Sequence, residues 1–183
     1  DIVAGDFYWM EKKDDLLLFA AADCTGHGVP GALVSVVCSN ALNRTVKEFG
    51  ISDPAKILEK VRELVIETFA RSENEVNDGM DISLCTFNPE TRLLQWAGAN
   101  NPLWIIRNSS KTVEEITANK QPIGAYSYSR PFDLHEVQLE KNDCLYLFSD
   151  GYADQFGGPK GKKFKYKSLQ ELLLKHHQQR FTD

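Results

Sequence analysis

Short apolar segments, separated by turn-forming residues, recur along most of the chain. Several alternate apolar and polar side chains, which indicates β-strands with one buried face. Most are joined by connections of hairpin length, which predicts antiparallel sheets. The predicted strands comprise residues 2–10, 16–22, 80–87, 93–98, 103–107, 112–116, 132–139 and 144–149.

Three further segments carry apolar residues at intervals of three and four, which is typical of helices. Residues 30–49 form the first, with a proline in its first turn and Gly50 as a C-cap. A second helix begins at residues 52–54 (SDP), and we expect these two helices to pair antiparallel over one sheet. The third is predicted to begin with Ser168 as its cap and Glu171 completing a capping box. Strands with segregated helices predict an α+β domain.

Composition supports a globular chain and excludes some functions. The 183 residues suit one domain, and 42% apolar with 26% charged residues argues against disorder. A net charge of −5 disfavours a nucleic-acid interface. The basic cluster at residues 160–167 is interpreted as a solvated loop, in a segment (156–164) rich in Gly and Lys.

Cysteine usage and the lack of a long apolar run bear on location. The four cysteines show no CxxC or metal-finger spacing, which predicts a reducing, cytoplasmic setting. No apolar run approaches the ~20 residues that cross a bilayer, so we expect no membrane contact by this domain. The sequence opens at Asp1 without Met. We therefore expect residues 1–183 to be a single domain that is truncated at both ends. It would be cut from a longer multidomain signalling protein, which could be membrane-anchored.

Four aspartates fall at the ends of predicted strands: Asp6, Asp23, Asp81 and Asp150. Asp6 could instead be a turn or edge residue, and Asp81 the polar residue that ends a loop. Carboxylates brought together repel, so they need protons or cations between them. Oxygen ligands without His or thiolate select Mg²⁺ or Mn²⁺, and two such ions activate water and polarise a phosphoryl group.

Four motifs carry a family resemblance: residues 5–8 (GDFY), 22–32 (ADCTGHGVPGA), 98–102 (GANNP) and 149–151 (SDG). With these motifs in this order and spacing, the chain resembles the bacterial SpoIIE-type branch of the metal-dependent 2C-type (PPM) protein serine/threonine phosphatases. The resemblance covers essentially the whole chain. It implies the 2C-type fold, in which two antiparallel β-sheets form a sandwich flanked by helical layers, with the metals at one end.

The resemblance also implies roles for individual residues. Asp23 would bridge two Mn²⁺ or Mg²⁺ ions, and Cys24 would contribute its backbone carbonyl. Asp150 would bind the first metal, and Asp6 would hold metal-bound water. His27 matches a histidine considered as the general acid for the leaving serine oxygen; alternatively, it caps the turn by hydrogen bonding.

The chain departs from the family pattern in two places. The family has a C-terminal Asp-Asp-x-Thr-type motif whose acid completes the first metal site, and residues 178–183 do not resemble it. Either the sequence omits the end of the domain or the site is incomplete. Residues 98–101 (GANN) also stand where eukaryotic relatives carry an acid, which leaves Asp81 as the candidate ligand for a third metal.

These observations predict a Mn²⁺- or Mg²⁺-dependent phosphoprotein phosphatase. By analogy with the family, its substrate would be a phosphorylated anti-sigma-factor antagonist, hydrolysed without a phosphoenzyme intermediate, in sigma-factor control. The alternative is a pseudophosphatase, an output-binding domain of a sensor protein that holds a phosphorylated partner without turnover. A nucleotide-binding interpretation of the Gly-His-Gly turn does not fit P-loop spacing, and homodimer formation stays open.

Overall fold

Ten strands and three helices are present in the part of the chain that this computed structural model describes, residues 4–70, 78–110, 112–157 and 161–177. The helices are α1 (Gly28–Lys47), α2 (Pro54–Phe69) and α3 (Lys165–His176). The strands are β1 (Phe7–Lys13), β2 (Leu16–Cys24), β3 (Met80–Asn88), β4 (Leu93–Ala99), β5 (Leu103–Ile106), β6 (Glu114–Ile116), β7 (His135–Gln138), β8 (Cys144–Tyr146), β9 (Phe156–Gly157) and β10 (Lys162–Lys163).

A five-stranded antiparallel sheet in the order β1-β2-β3-β4-β7 forms the centre of the fold. Its strands alternate side chains between two faces, so each face builds a separate apolar cluster. On one face, Leu18, Ile82 and Leu84 are fully buried together with residues of α1 and α2. Trp9 Nε1 also donates to Asn43 Oδ1 at 2.9 Å, which ties the edge strand β1 to α1.

A second, three-stranded antiparallel sheet in the order β6-β5-β8 packs on the opposite face. Trp96 of β4 and Leu103 and Ile105 of β5 share the second apolar cluster, which joins the two sheets. Trp104, the residue between them on β5, contacts Tyr166 of α3 at a ring-centroid distance of 6.0 Å. The layers are therefore α1 and α2, the large sheet, the small sheet, and α3.

This architecture confirms the predicted α+β sandwich with helical layers. The first helix begins and ends two residues before its predicted bounds, and the second begins within the predicted residues 52–54. Gly50 has the positive φ of +69° expected of a C-cap glycine. Asp53 accepts a hydrogen bond from the Lys56 backbone N at 3.1 Å, so it is the N-cap of α2.

Some local predictions were wrong. Segment 156–164 was expected to be a loop, yet β9 and β10 pair there as a hairpin. The capping box at Ser168 does not form, because α3 already begins at Lys165. Lys165 has a φ of +69°, and its N–H donates to Ala153 O at 2.7 Å. The strands at 2–10, 132–139 and 144–149 are shorter than predicted, with residues 1–3 outside the described part.

Candidate metal centre

The register of the large sheet places two of the predicted acids side by side. Asp23, near the end of β2, pairs directly with Asp81, near the start of β3. Directly paired residues on neighbouring antiparallel strands have Cβ atoms about 4.5–5.5 Å apart. Two carboxylates 58 positions apart in sequence are thus neighbours at one end of the sheet. Asp81 is thus part of β3 and lies beside Asp23, rather than at the end of a loop.

Asp6 joins this pair from the segment that precedes β1. Its carboxylate lies within hydrogen-bonding reach of a protonated Asp23 carboxyl, and the Ser149 hydroxyl donates to Asp6 Oδ2 in a short contact. Gly5 makes this approach feasible, because a Cβ at Gly5 would lie 2.6 Å from the Cys24 carbonyl oxygen. The Asp6 carboxylate is therefore directed toward Asp23 and Ser149.

Asp150 lies in the turn that follows β8. The Asp154 N–H donates to Asp150 O at 2.9 Å, and Gln155 Nε2 donates to Gly151 O at 3.0 Å, so the turn is fixed by its own hydrogen bonds. The β9–β10 hairpin is attached to it by an ion pair of 2.6 Å between Lys163 and Asp154. Asp150 is close enough for its charge to act on both Asp23 and Asp81, so it lies at the same end of the sandwich.

The Gly-His-Gly turn is anchored by the residue that precedes it. Thr25 N donates to Gly79 O at 3.0 Å, and the Thr25 hydroxyl donates to Asp78 Oδ1 at 2.7 Å while accepting from Gly79 N at 3.2 Å. His27 then occupies the N-cap position of α1, exposed and without a side-chain capping hydrogen bond. The alternative in which His27 caps the turn through its ring is therefore wrong.

The electrostatics of the acids show that they interact. Burial, the hydrogen bond that the protonated Asp23 carboxyl donates to Asp6, and the negative charges of Asp6, Asp150 and Asp81 together raise the pKa of Asp23 to about 7. Burial and the charge of Asp150 also raise the pKa of Asp81, against a lowering by the hydrogen bond from Asn100. The four acids thus repel one another and favour a proton or a cation between them.

The donor chemistry fits a hard divalent cation. All four side chains offer carboxylate oxygens, and the Cys24 thiol is turned away into the core, where contact with Cys38 and burial raise its pKa. Cys24 can offer only its carbonyl oxygen, as the resemblance implied. Oxygen donors of this kind suit Mg²⁺ or Mn²⁺. Within the described ranges, no three His, Cys, Asp or Glu side chains already stand in ligand geometry around one point.

Two residues of the site were present in the sequence motifs but had not been given a role. Asn100 Nδ2 donates to Asp81 Oδ1 at 2.8 Å, from a backbone with a positive φ of +58°. Ser149 holds Asp6. Their position within the GANNP and SDG motifs was the available signal. Residues 178–183, which do not resemble the C-terminal acidic motif of the family, lie outside the described residues.

Comparison with known proteins agrees with this geometry. The family model described as "Stage II sporulation protein E (SpoIIE)" matches residues 13–183. The phosphoserine phosphatase RsbU of Bacillus subtilis (strain 168) is 28% identical over 158 residues, which is 83% of this chain and 43% of that protein. The chain therefore spans less than half the length of this relative.

Solved structures give the same result. The SiaA-PP2C domain of Pseudomonas aeruginosa is 30% identical with a TM-score of 0.84, over 98% of this chain and 69% of that one. The PP2C phosphatase domain of SpoIIE from Bacillus subtilis, with a fragment of its regulatory domain, has a TM-score of 0.69 at 21% identity, over 98% of this chain and 48% of that one. At that lower identity the likeness concerns the fold. No helix among the described residues has the length and apolar character needed to cross a membrane.

Proposed function

We propose, from the premise that this chain belongs to the SpoIIE family of PP2C-type phosphatases, that it hydrolyses phosphoserine or phosphothreonine in a regulatory protein with Mn²⁺ or Mg²⁺ as cofactor. One observation carries the proposal. Asp23 and Asp81 pair at one end of the sheet, and the carboxylates of Asp6 and Asp150 lie close enough to Asp23 to repel it. The substrate proposed is a phosphorylated anti-sigma-factor antagonist.

In this proposal each acid has a separate task. Asp23 is central, because its carboxylate interacts with all three others, and it would bridge two ions. Asp150 would bind the first ion, and Cys24 would contribute its backbone carbonyl. Asp6, whose carboxylate accepts from the Ser149 hydroxyl, would hold metal-bound water. Bound ions would supply a more acidic water and a polarised phosphoryl group. Asp81 is held by Asn100 and would complete a third site.

The reaction needs a proton donor as well as a nucleophile. Water attacks phosphorus as the bond from phosphorus to the serine oxygen breaks, and that oxygen must gain a proton. His27 is exposed at the start of α1, and its ring makes no capping hydrogen bond. We assign it the role of general acid. Replacing it should lower kcat more than it raises KM, because the proton is transferred in the chemical step.

The direct test is hydrolysis of a phosphoserine protein or of p-nitrophenyl phosphate with Mn²⁺. We expect activity that is lost on addition of EDTA and in Asp23→Ala, and that is retained in Asp15→Ala, which changes an exposed acid of the β1–β2 turn. Activity that survives both EDTA and Asp23→Ala would exclude the metal mechanism. Calorimetric titration with Mn²⁺ separates the enzyme from a domain that binds a phosphorylated partner without turnover, since only the former is expected to take up two ions.

A further inference from the structure

Two buried amides flank an exposed lysine in the segment after β6. Asn119 and Gln121 are only 5% and 2% exposed, whereas Lys120 between them is exposed. Asn119 exchanges two hydrogen bonds with Asp133, at 2.7 and 2.9 Å, and Gln121 exchanges two with the Arg130 backbone, both at 2.8 Å. Buried amides satisfied in this way fix the conformation of a segment.

Backbone hydrogen bonds attach the same segment to the strand ends that carry the site. Asn119 N donates to Gly98 O at 3.1 Å and Asn119 O accepts from Asn100 N at 2.9 Å, which joins it to the end of β4. Ile123 exchanges two hydrogen bonds, of 2.8 and 2.9 Å, with Met80 at the start of β3. Lys120 lies between these two attachments, and Asp81 follows Met80 directly.

Lys120 is linked to the acid cluster through its neighbour Asn119. The Asn119 carbonyl accepts from Asn100 N at 2.9 Å, and Asn100 Nδ2 in turn donates to Asp81 Oδ1 at 2.8 Å. Within the described part of the chain, no hydrogen bond or ion pair of the Lys120 ammonium group is found. By contrast, Lys163 on the neighbouring hairpin is engaged by Asp154 at 2.6 Å. Lys120 therefore has a backbone that is fixed by its hydrogen-bonded neighbours and an ammonium group that is available to a ligand.

We propose that Lys120 binds the phosphoryl group of the substrate, with its ammonium group donating to a non-bridging phosphoryl oxygen, and that Asn119 and Gln121 are positioning residues that hold it there. The proposal rests on the proposed phosphatase function. A phosphate monoester carries a charge of about −1.5 to −2 near neutral pH and must approach four carboxylates. A fixed cation at the rim offsets this repulsion, and lysine binds phosphate as a point charge.

The first test compares Lys120→Met and Lys120→Arg with the wild type at saturating Mn²⁺, with Lys56→Met as the matched control. Lys56 is an exposed lysine in the first turn of α2. Loss of one charge-assisted hydrogen bond should raise both KM for the phosphoserine protein and the inhibition constant of inorganic phosphate about 10–100-fold in Lys120→Met. Lys120→Arg should recover most of both losses, and Lys56→Met should change neither.

A second test examines the positioning role. Gln121→Ala should raise the inhibition constant of phosphate without changing Mn²⁺ affinity, and it should add little when combined with Lys120→Met, because both variants remove the same contact. Additive losses would overturn the role of Gln121. Folding of each variant is checked by its melting temperature, so a destabilised protein is recognised.

Phosphate binding can also be measured without turnover. Calorimetric titration of inorganic phosphate into the Mn²⁺-loaded protein should show binding that weakens about 10–100-fold in Lys120→Met. If wild type binds phosphate in this way but hydrolyses no substrate, the proposed function fails while the assignment of Lys120 stands. If phosphate binding is absent in wild type or unchanged in Lys120→Met, the assignment is overturned. A change in Mn²⁺ affinity alone would likewise overturn it, because Lys120 would then act only through Asp81.

Discussion

Replacing Asp23 by asparagine should stabilise the metal-free protein while abolishing catalysis. Burial, Asp6 and the other acids raise the pKa of Asp23 from 3.8 to about 7. A raised pKa means that the folded state holds the protonated acid more tightly than the unfolded state does. The stabilising contribution is therefore complete below about pH 3.8 and is lost as the pH rises through about 7. The Asp23→Asn variant has no such loss.

The magnitude follows from the size of the pKa shift. A rise from 3.8 to about 7 corresponds to about 4 kcal/mol at 1.36 kcal/mol per unit. Asp23 is only half-buried, so solvent screening reduces this to about 1–2 kcal/mol. For a chain of 183 residues that is a rise in melting temperature of about 2–8 °C.

The assay is thermal unfolding in EDTA at pH 8 and at pH 5. We expect Asp23→Asn to melt higher than wild type at pH 8 and the difference to shrink at pH 5. Asp143→Asn is the matched control with the opposite sign. The Asp143 side chain is 2% exposed and paired with Arg107 at 3.0 Å, and its pKa is lowered, so its loss should destabilise by about 1–3 kcal/mol at pH 8. An Asp23→Asn variant no more stable than wild type at pH 8 would refute the electrostatic account of the site.

Three further predictions concern the same end of the sheet. Mn²⁺ affinity should rise between pH 5 and 8 and level off above about 7, because the ion competes with the proton on Asp23; calorimetric titration across this range measures it. Gly5→Ala should lower the free energy of unfolding by about 1–3 kcal/mol in chemical denaturation, because the added Cβ would meet the Cys24 carbonyl at the end of β2. Gly157→Ala is the control and should be nearly neutral, because no atom lies within 4 Å of a Cβ at that position. Asn100→Gly keeps the positive φ but removes the hydrogen bond to Asp81, so a melting temperature close to wild type with altered Mn²⁺ affinity is expected; unchanged affinity would contradict a role for that bond.

Much of the fold could be predicted because its signals are local. Apolar segments bounded by turn residues, with alternation in residues 80–87, gave β2, β3 and β4 to within two residues, and the spacing of three and four gave α1 and α2. The prediction failed where tertiary contacts set the ends of elements. The N–H of Lys165 bonds to Ala153, and α3 therefore begins three residues before the predicted Ser168 cap. The paired strands β9 and β10 are too short to show a periodic pattern of apolar residues in the sequence.

The sequence by itself determined which residues are candidates for the chemistry. Asp23 and Asp150 each follow an apolar run, Asp6 lies in the first predicted strand and Asp81 at the start of another, and four motifs indicate the family without any coordinates. The type of donor, carboxylate oxygen, already selects a hard divalent cation. These are properties of residue type and local order along the chain, and both can be recognised in a single sequence.

Only the tertiary structure decided how those residues act together. The pairing of Asp23 with Asp81 depends on the β2–β3 register, and the hydrogen bond from Ser149 to Asp6 joins residues 143 positions apart. The raised pKa of Asp23 arises from burial and from charges that only folding brings close. Lys120 carried no signal in the sequence, because its significance comes from two buried amides that fix its backbone beside the site. Interactions between residues distant in sequence depend on packing, and packing is not encoded in any local pattern.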